Sequence, residues 1–411
     1  MKLPLRAKVA TSLSRGAAAL SRATGRGDGA VIGGKIGMMI DPNLLANLAA
    51  GREIALISGT NGKTTTTRLT AAALGVLGPV ATNSLGANMP TGHASALAKA
   101  GETPYAVLEV DEHYLPQVLD ATHPKVVALL NLSRDQLDRA KEVAMMASLW
   151  REALRGRDLH IVANGDDPMV TYAAAAAFAD GTPVTWVAAG QRWHDDSWVC
   201  PECGSPIERS GEEWWCTTGD LRRPVPQWNV KGDGVVDSTG TYHEVHLQLP
   251  GRINKANAAT ALAVAAFFGV RPDDALPALA GVASVAGRYA TVEKDGRTIR
   301  LLLAKNPAGW LEAFDMAEDA PTLLSINARD PDGLDTSWLY DVDFSPLRGR
   351  RVLVSGDRAM DLAVRLEVNE VAFEHVPSFG HALRAVPPGR LEVIANYTAF
   401  QDIRAELDRV N

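Results

Sequence analysis

Cysteine is nearly absent from this 411-residue chain: there are three, Cys200, Cys203 and Cys216, gathered in one stretch. An odd number in one place excludes a disulfide framework and, with no secretion signal, leads us to expect a reducing cytoplasm. It also excludes a nucleophilic cysteine on a strand-to-helix elbow, since none of the three has that context. Long apolar runs are missing, so no segment reads as a membrane span. Positive charge is not in excess: the net charge of −7 gives no support for nucleic-acid binding. What remains, 46% hydrophobic and 22% charged residues, is the balance of a soluble globular protein, and the length implies two or three domains.

The N-terminus departs from the average. Lys2, Arg6, Lys8, Arg15, Arg22 and Arg26 precede the first acid, Asp28. Arg15 and scattered Ser/Thr interrupt any apolar core of a signal peptide. An amphipathic basic helix fits better, either as a solvated surface helix or in peripheral contact with an anionic membrane.

From residue 53 the pattern alternates strand and helix. Apolar runs at 53–57, 105–110, 126–130, 160–163 and 184–187 read as strands, and 65–77 and 140–154 as helices between them. This βαβα order predicts a mostly parallel sheet covered on both faces. The rhythm breaks between about 192 and 230, where Trp, Pro, Gly and all the Cys collect, as in an inserted loop-rich module. An Ala-rich helix follows at 254–268, and a second α/β unit starts near 292, with strands at 299–303, 322–326, 351–354 and 391–395. The expected domains are a helical, Gly-rich segment at 1–50, a central domain at 51–291 and a C-terminal α/β domain at 292–411.

The most informative stretch is Gly59-Thr60-Asn61-Gly62-Lys63-Thr64-Thr65, directly after an apolar run. A strand feeding a Gly-rich turn, a Lys, a hydroxyl and a helix builds a nest for phosphate: backbone N–H groups face the anion, Lys63 adds charge and Thr64 a hydroxyl for Mg²⁺. The general P-loop has four residues between its first Gly and the Gly-Lys pair, but here Ile57 stands at that spacing, so this is a shorter form. The strand at 105–110 carries Glu109 at its end, followed by Asp111 and Glu112. An acid there sits at the ligand crevice of a parallel sheet and would hold Mg²⁺; Asp111 and Glu112 are read equally as metal helpers or as solvated capping residues. Asn131 to Asp138 follows the next strand, and Asp135 and Asp138 would share a helix face or cap its start. Gly165-Asp166-Asp167-Pro168 reads as a turn into a helix. Asn254 and Asn257, one turn apart, would present amides to a base or ribose, or cap the helix.

Residues 59–65, Glu109, 131–138, 166–168, 254–259 and Gly287-Arg288 occur in the order of the Mur ligases, ATP-dependent enzymes of cell-wall precursor synthesis, which the chain resembles over most of 40–290. The resemblance implies a Mur-ligase-like central ATPase domain. ATP would lie on Gly59, Thr60, Asn61, Gly62, Lys63, Thr64 and Thr65, Mg²⁺ on Thr64 and Glu109, the nucleoside on Asn257, and Arg288 near the phosphates. It further implies activation of a carboxylate as an acyl phosphate that an amine then attacks. Residues 304–309, 327–344 and 356–358 resemble the C-terminal, Rossmann-like domain of an amide-forming branch of the family. Members of that branch convert the D-glutamate of membrane-anchored lipid II to D-isoglutamine with ammonia from a GatD-like class I glutaminase subunit, as a heterodimer. In that branch an Asp completes the partner's Cys-His pair; Asp335 is the candidate here and Asp341 the alternative, and the other reading of both is a turn cap. The branch often carries a four-Cys zinc ribbon where this chain has Cys200, Cys203, Cys216 and then Gly219. Structural zinc takes four ligands, so Asp220, His194 or solvent would complete it, unless the ribbon folds without metal. Two other readings are an amino-acid-adding ligase, for which the modified Lys near the metals is not placed, and a nucleotide-binding scaffold for a glutaminase.

Overall fold

Strand and helix periods alternate because each apolar strand must be covered on both faces, and in the computed structural model they assemble into two α/β units. The structure describes residues 3–24, 29–83, 86–134, 143–282 and 289–408. The first unit comprises residues 1–132, 142–249 and 253–283; the second, residues 133–141, 250–252 and 284–411.

Three helices open the first unit: α1 (Leu5–Ala23), α2 (Ala30–Ile40) and α3 (Leu44–Ala49). Within the helical, Gly-rich segment expected at 1–50, α2 carries three buried glycines. Its glycines allow close packing: a Cβ on Gly33 would lie 2.8 Å from the Ser14 carbonyl, and one on Gly34 would overlap the Thr91 carbonyl. Asp41 starts α3, accepting from Asn43 N and Asn47 Nδ2.

The alternation then runs β1 (Glu53–Ser58), α4 (Lys63–Leu74), β2 (Val80–Thr82), α5 (Pro90–Ala100), β3 (Tyr105–Val110), α6 (Leu115–Thr122), β4 (Val126–Leu129), α7 (Val143–Leu154), β5 (His160–Asn164), α8 (Pro168–Ala179) and β6 (Val184–Ala188). A separate hairpin, β7 (Ile207–Ser210) and β8 (Glu213–Cys216), interrupts it. The chain returns through β9 (Trp228–Lys231), β10 (Gly234–Val236) and β11 (Tyr242–Glu244), then α9 (Arg252–Phe267) and α10 (Pro272–Ala280). Among the described residues the sheet has nine strands, ordered β11-β10-β9-β6-β5-β4-β1-β3-β2. β1 through β6 and β9 pair in parallel among themselves, while the β9–β10 and β10–β11 pairs are antiparallel. The three short strands after the insert were not anticipated; they are too brief to show a period, and Gly-Asp turns break them. β1 lies centrally between β3 and β4, where the strand order reverses, and such a switch point opens a crevice at the strands' C-terminal ends.

The second unit contains β12 (Tyr289–Lys294), β13 (Arg297–Leu303), α11 (Pro307–Met316), β14 (Thr322–Ser325), β15 (Val352–Ser355), α12 (Ala359–Val368), β16 (Phe373–His375), α13 (Phe379–Ala385), β17 (Gly389–Ala395) and α14 (Tyr397–Asp408). Its sheet runs β12-β13-β17-β14-β15-β16, parallel except at the β12 edge. Trp310, Phe314 and Phe344 pack edge to face with one another, and Trp338 lies tilted against Trp310. Arg300 on β13 reaches the fully buried Glu392 on β17 at 3.0 Å.

The close approach of α2 to α5 gives a direct test. Gly34→Ala should cost about 3 kcal/mol in chemical denaturation, because the helices must part to admit the methyl. Gly16→Ala in α1, where no atom lies within 4 Å of the new Cβ, should be neutral or stabilise by up to about 1 kcal/mol.

Candidate active site

The nest forms where β1 hands over to α4. Gly59 has φ 146°, and a Cβ there would stand 2.8 Å from the Leu130 Cβ and 3.0 Å from Asn131 N. Gly62 takes the left-handed φ 84° as the residue before α4. Its Cβ would lie 2.7 Å from Asn257 Oδ1. Both positions therefore need glycine. Gly62 has no side chain to cap α4, and a helix N-terminus presents its N–H groups to an anion. A phosphate chain fits this donor set.

Lys63 and Thr64 begin the helix and are buried. Lys63 Nζ donates to the Gly59 carbonyl at 2.5 Å, the Thr60 carbonyl at 3.1 Å and Glu112 Oε2 at 3.0 Å. Thr64 Oγ1 donates to Glu109 Oε2 at 2.8 Å. A hydroxyl bonded to a buried carboxylate offers oxygen ligands of the kind Mg²⁺ takes, so Thr64 and Glu109 fit the metal expected of them.

Parallel pairing explains how residues 45 apart meet: Ile57 on β1 is opposite Glu109 on β3. The Glu109 backbone is itself clamped. Its N–H donates to Asn83 Oδ1 at 2.8 Å, and its carbonyl accepts from Asn83 Nδ2 at 2.8 Å and His93 Nε2 at 2.7 Å. Burial pushes the His93 imidazole down to about 4, so the ring is neutral and Nε2 carries the proton. Glu112 contributes its backbone too, accepting from Trp150 Nε1 at 3.0 Å. Asp111 instead caps the short turn after β3, accepting from His113 N.

The far wall comes from the loop after β4. Asn131 grips the nest in both directions: its Oδ1 accepts from Asn61 N at 2.9 Å, its Nδ2 donates to the Asn61 carbonyl at 3.0 Å, and its own carbonyl accepts from Thr60 N at 2.9 Å. Asp167 holds that loop by accepting from Leu132 N at 2.9 Å and also caps α8. Full burial pushes its carboxyl up to about 6, against those backbone donors. Neighbouring Asp166 pairs with Arg223 at 2.8 Å. Asn257 accepts from Thr66 Oγ1 at 3.2 Å and donates to Asn254 Oδ1 at 3.2 Å, so both amides lie under the nest. Asp135, Asp138 and Arg288 lie outside the described residues.

The cysteines converge separately. The Sγ atoms of Cys200, Cys203 and Cys216 all lie within 4.8 Å of one another, with Cys203 and Cys216 3.3 Å apart. Bonds from Ser205 hold the Cys203 thiol down at about 6, while burial pushes Cys200 up to about 11. A Cβ on Gly219 would stand 3.3 Å from Cys216 Sγ and 3.6 Å from Cys203 Sγ. Asp220 does not join the group: its carboxylate is fully exposed beside Arg222. Among the described residues, neither does His194 or any other His, Asp or Glu.

In the second unit, Asp335 is exposed and accepts from Ser337 N at 2.8 Å, which holds its carboxyl below the usual range. Asp341 instead pairs with Arg134 at 3.2 Å. The loop bearing Asp335 has a fixed base. Asn327 exchanges bonds with Asn396, and Asp332 accepts from Thr398 N.

Sequence reasoning named the nest, Glu109 and the segment that starts at Asn131 but not Asn83 or His93, and left Glu112 undecided. The His93 signal was present: a lone His in an apolar helical stretch, four residues before Leu97 on the same buried face. Its folded pKa lies below the ordinary His value near 6.5. Stability is thus complete above 6.5 and falls as pH drops toward 4, by about 2 kcal/mol between pH 7 and pH 5. His93→Gln keeps a donor to Glu109 and should flatten that part of the profile of unfolding free energy against pH; an unchanged slope would remove His93 as its source.

A family model for the Mur ligase middle domain matches residues 57–199, and one for the MurT ligase C-terminal domain matches residues 303–400. The chain is 29% identical over 415 aligned residues to the lipid II isoglutaminyl synthase (glutamine-hydrolyzing) subunit MurT of Streptococcus pneumoniae (strain ATCC BAA-255 / R6), covering 92% of each chain. It is also 29% identical to the subunit of the same name from Staphylococcus aureus (strain COL), covering 89% of each. In fold it resembles a pseudomurein peptide ligase type C from Methanothermus fervidus, at TM-score 0.65 and 17% identity, over 88% of this chain and 79% of that one. The nest, the strand-end glutamate and these likenesses in both units agree: the chain has the Mur ligase fold, carries a match to the Mur ligase middle domain followed by one to the MurT ligase C-terminal domain, and is similar to MurT subunits along nearly its whole length.

Proposed function

We propose that this chain is the ATP-dependent synthetase subunit of an amidotransferase of peptidoglycan synthesis. The α-carboxylate of the D-glutamate in lipid II attacks the γ-phosphorus of ATP, ADP leaves, and an acyl phosphate forms. Ammonia attacks the acyl carbon, loses a proton and expels phosphate, giving D-isoglutamine. The observation that carries this reading is the junction of Lys63 and Thr64 with Glu112 and Glu109 at the nest. Lys63 and the α4 N-terminus meet phosphate oxygens, Asn257 and Arg288 serve the nucleotide, and Thr64 and Glu109 hold Mg²⁺, which neutralises charge on the phosphates. Catalysis here is positioning plus charge neutralisation.

Ammonia comes from a GatD-like class I glutaminase in a heterodimer, because the three cysteines of this chain are committed to their own cluster. Asp335 completes the partner's Cys-His pair by orienting the His and stabilising its charged form. Two observations favour it over Asp341: Asp335 is exposed and held ionised, whereas Asp341 is engaged by Arg134. The complex works in the cytoplasm, at the inner face of the membrane where a lipid-anchored substrate lies. Cys200, Cys203 and Cys216 would hold a structural zinc with solvent completing the four ligands, and a cysteine at Gly219 would bring a fourth thiol close to Cys203 and Cys216.

One experiment separates this reading from an amino-acid ligase and from a scaffold. The chain is incubated with lipid II and ATP, adding ammonia, amino acids or glutamine plus the glutaminase in turn, and the product mass is read. The small fall in mass of an acid-to-amide exchange, NH2 replacing OH, is expected with ammonia and with the glutaminase; the mass gain of an added amino acid, or no product at all, defeats the proposal. Lys63→Ala should lower both activities by about a hundredfold or more with the partner still bound. Asp335→Asn should lower the glutamine-driven rate by about three to four orders of magnitude and spare the ammonia-driven one. Loss of both, or of neither, rules out the assigned role.

For the zinc, protein purified without added metal should carry about one zinc per chain. Gly219→Cys should retain it longer against a chelator and melt at higher temperature. Stoichiometry near zero in both proteins would leave the ribbon metal-free.

A further inference from the structure

Helix α1 shows three distinct faces. At about 100° per residue, Ala7, Ala10, Thr11, Ser14 and Ala18 share the arc that is buried. On the opposite arc, Leu5, Val9, Leu13 and Leu20 point outward, and Leu5 is 80% and Leu20 66% exposed. Exposed Lys8, Arg15 and Arg22 fall between the two on one flank, and Arg6 on the other. Neighbouring α2 adds to this surface: Val31, Ile32 and Met39 are exposed, together with Lys35. The two helices run side by side, since Arg6 Nε donates to the Ile40 carbonyl and Gly33 packs on Ser14.

An apolar stripe of this kind on a folded helix needs a cover. The local charge indicates which. The first forty residues hold seven basic residues and one acid, in a chain whose net charge is −7. Among the described residues Lys8 and Lys35 enter no ion pair. An anionic surface would therefore attract this face and repel most of the rest, setting an orientation as well as an affinity. No described helix is long and apolar enough to cross a membrane, so the apolar arc would lie along an interface.

We propose that the outer face of α1, with the adjoining residues of α2, docks in the plane of an anionic phospholipid surface. Leu5, Val9, Leu13 and Leu20 enter the headgroup–acyl boundary, while Arg6, Lys8, Arg15, Arg22 and Lys35 meet lipid phosphates. The buried small residues of α1 keep the helix attached to the protein, so it docks already folded. Stable attachment needs both signals, apolar and basic. The proposal deepens the reading of a lipid-anchored substrate, while the exposed stripe and basic flanks that carry it are seen without that reading.

The test is flotation of the full chain with phosphatidylcholine vesicles, with and without phosphatidylglycerol, alongside its oligomeric state and its binding to the glutaminase. Binding is expected only with phosphatidylglycerol, and high salt should release it. The charge reversals Lys8→Glu and Lys35→Glu should each weaken partitioning by at least about fivefold. Leu13→Gln with Leu20→Gln should abolish it while leaving the melting temperature unchanged, since both side chains are exposed. Equal binding to neutral vesicles, no binding, or binding indifferent to these variants overturns the proposal. So does a result in which the leucine variants dissolve a self-assembly or the glutaminase complex, which would make this face a protein contact. Amidation of a lipid-free substrate analogue by the same variants separates the two readings: its failure alongside intact vesicle binding indicts the function, and the reverse indicts only this surface.

Discussion

The parallel placement of β1 between β3 and β4 is the constraint on which the candidate site depends. It sets Ile57 opposite Glu109 and Ser58 opposite Leu129. The nest after β1 therefore has an acid on one side and the Asn131 loop on the other. Side-chain direction alternates along a strand, so a one-residue slip of β3 would turn Glu109 away from Thr64. The register is strongly specified because β1 and β3 are buried along nearly their whole length. The hydrophobic core thus aligns the chemistry without taking part in it.

Placing Lys63, Glu109 and Glu112 in the interior has a cost that the local structure must offset. A buried charge is tolerated when it is paired and its remaining hydrogen-bonding capacity is filled. Lys63 meets this with two carbonyls and one carboxylate. Glu109 takes the Thr64 hydroxyl, and Asn83 and His93 fix its backbone. Electrostatic work on a phosphoryl group is most effective when the charges need not reorganise during reaction. The neutral His93 serves that end: it donates to a carbonyl without adding a positive charge that would compete for Glu109.

Much of this was legible in the sequence, for identifiable reasons. The nest is contiguous and needs particular residue types at particular steps, so residues 59–65 could be read directly. Glu109 was found because it ends an apolar strand. The partners of these groups were not legible, because they arrive by topology. Asn131 and Asp167 look like turn residues, and only the fold shows one gripping Asn61 and the other gripping Leu132. Asp111 and Glu112 are adjacent acids that composition cannot separate; the turn after β3 sends one to a cap and the other to Lys63. In α2 the low helix propensity of glycine is outweighed by close packing on Ser14 and Thr91.

The second unit divides rigidity from exposure in a way that bears on its role. Arg300 and Glu392 lock β13 to β17, and the Asn327–Asn396 exchange with the Asp332–Thr398 contact fixes the base of the following loop. Trp338 is buried just beyond. Between these anchors Leu334 and Asp335 project into solvent, with Leu334 60% exposed. Asp335 accepts from Ser337 N in the manner of a turn cap, and unlike Glu392 it has no buried partner among the described residues. Its exposure on an anchored loop, beside an exposed apolar side chain, is what the proposed role toward a partner's His requires. The cysteines point the same way. With all three in one cluster, none is left to act as a nucleophile, so Asp335 would gain a catalytic use only once a second subunit brings its own.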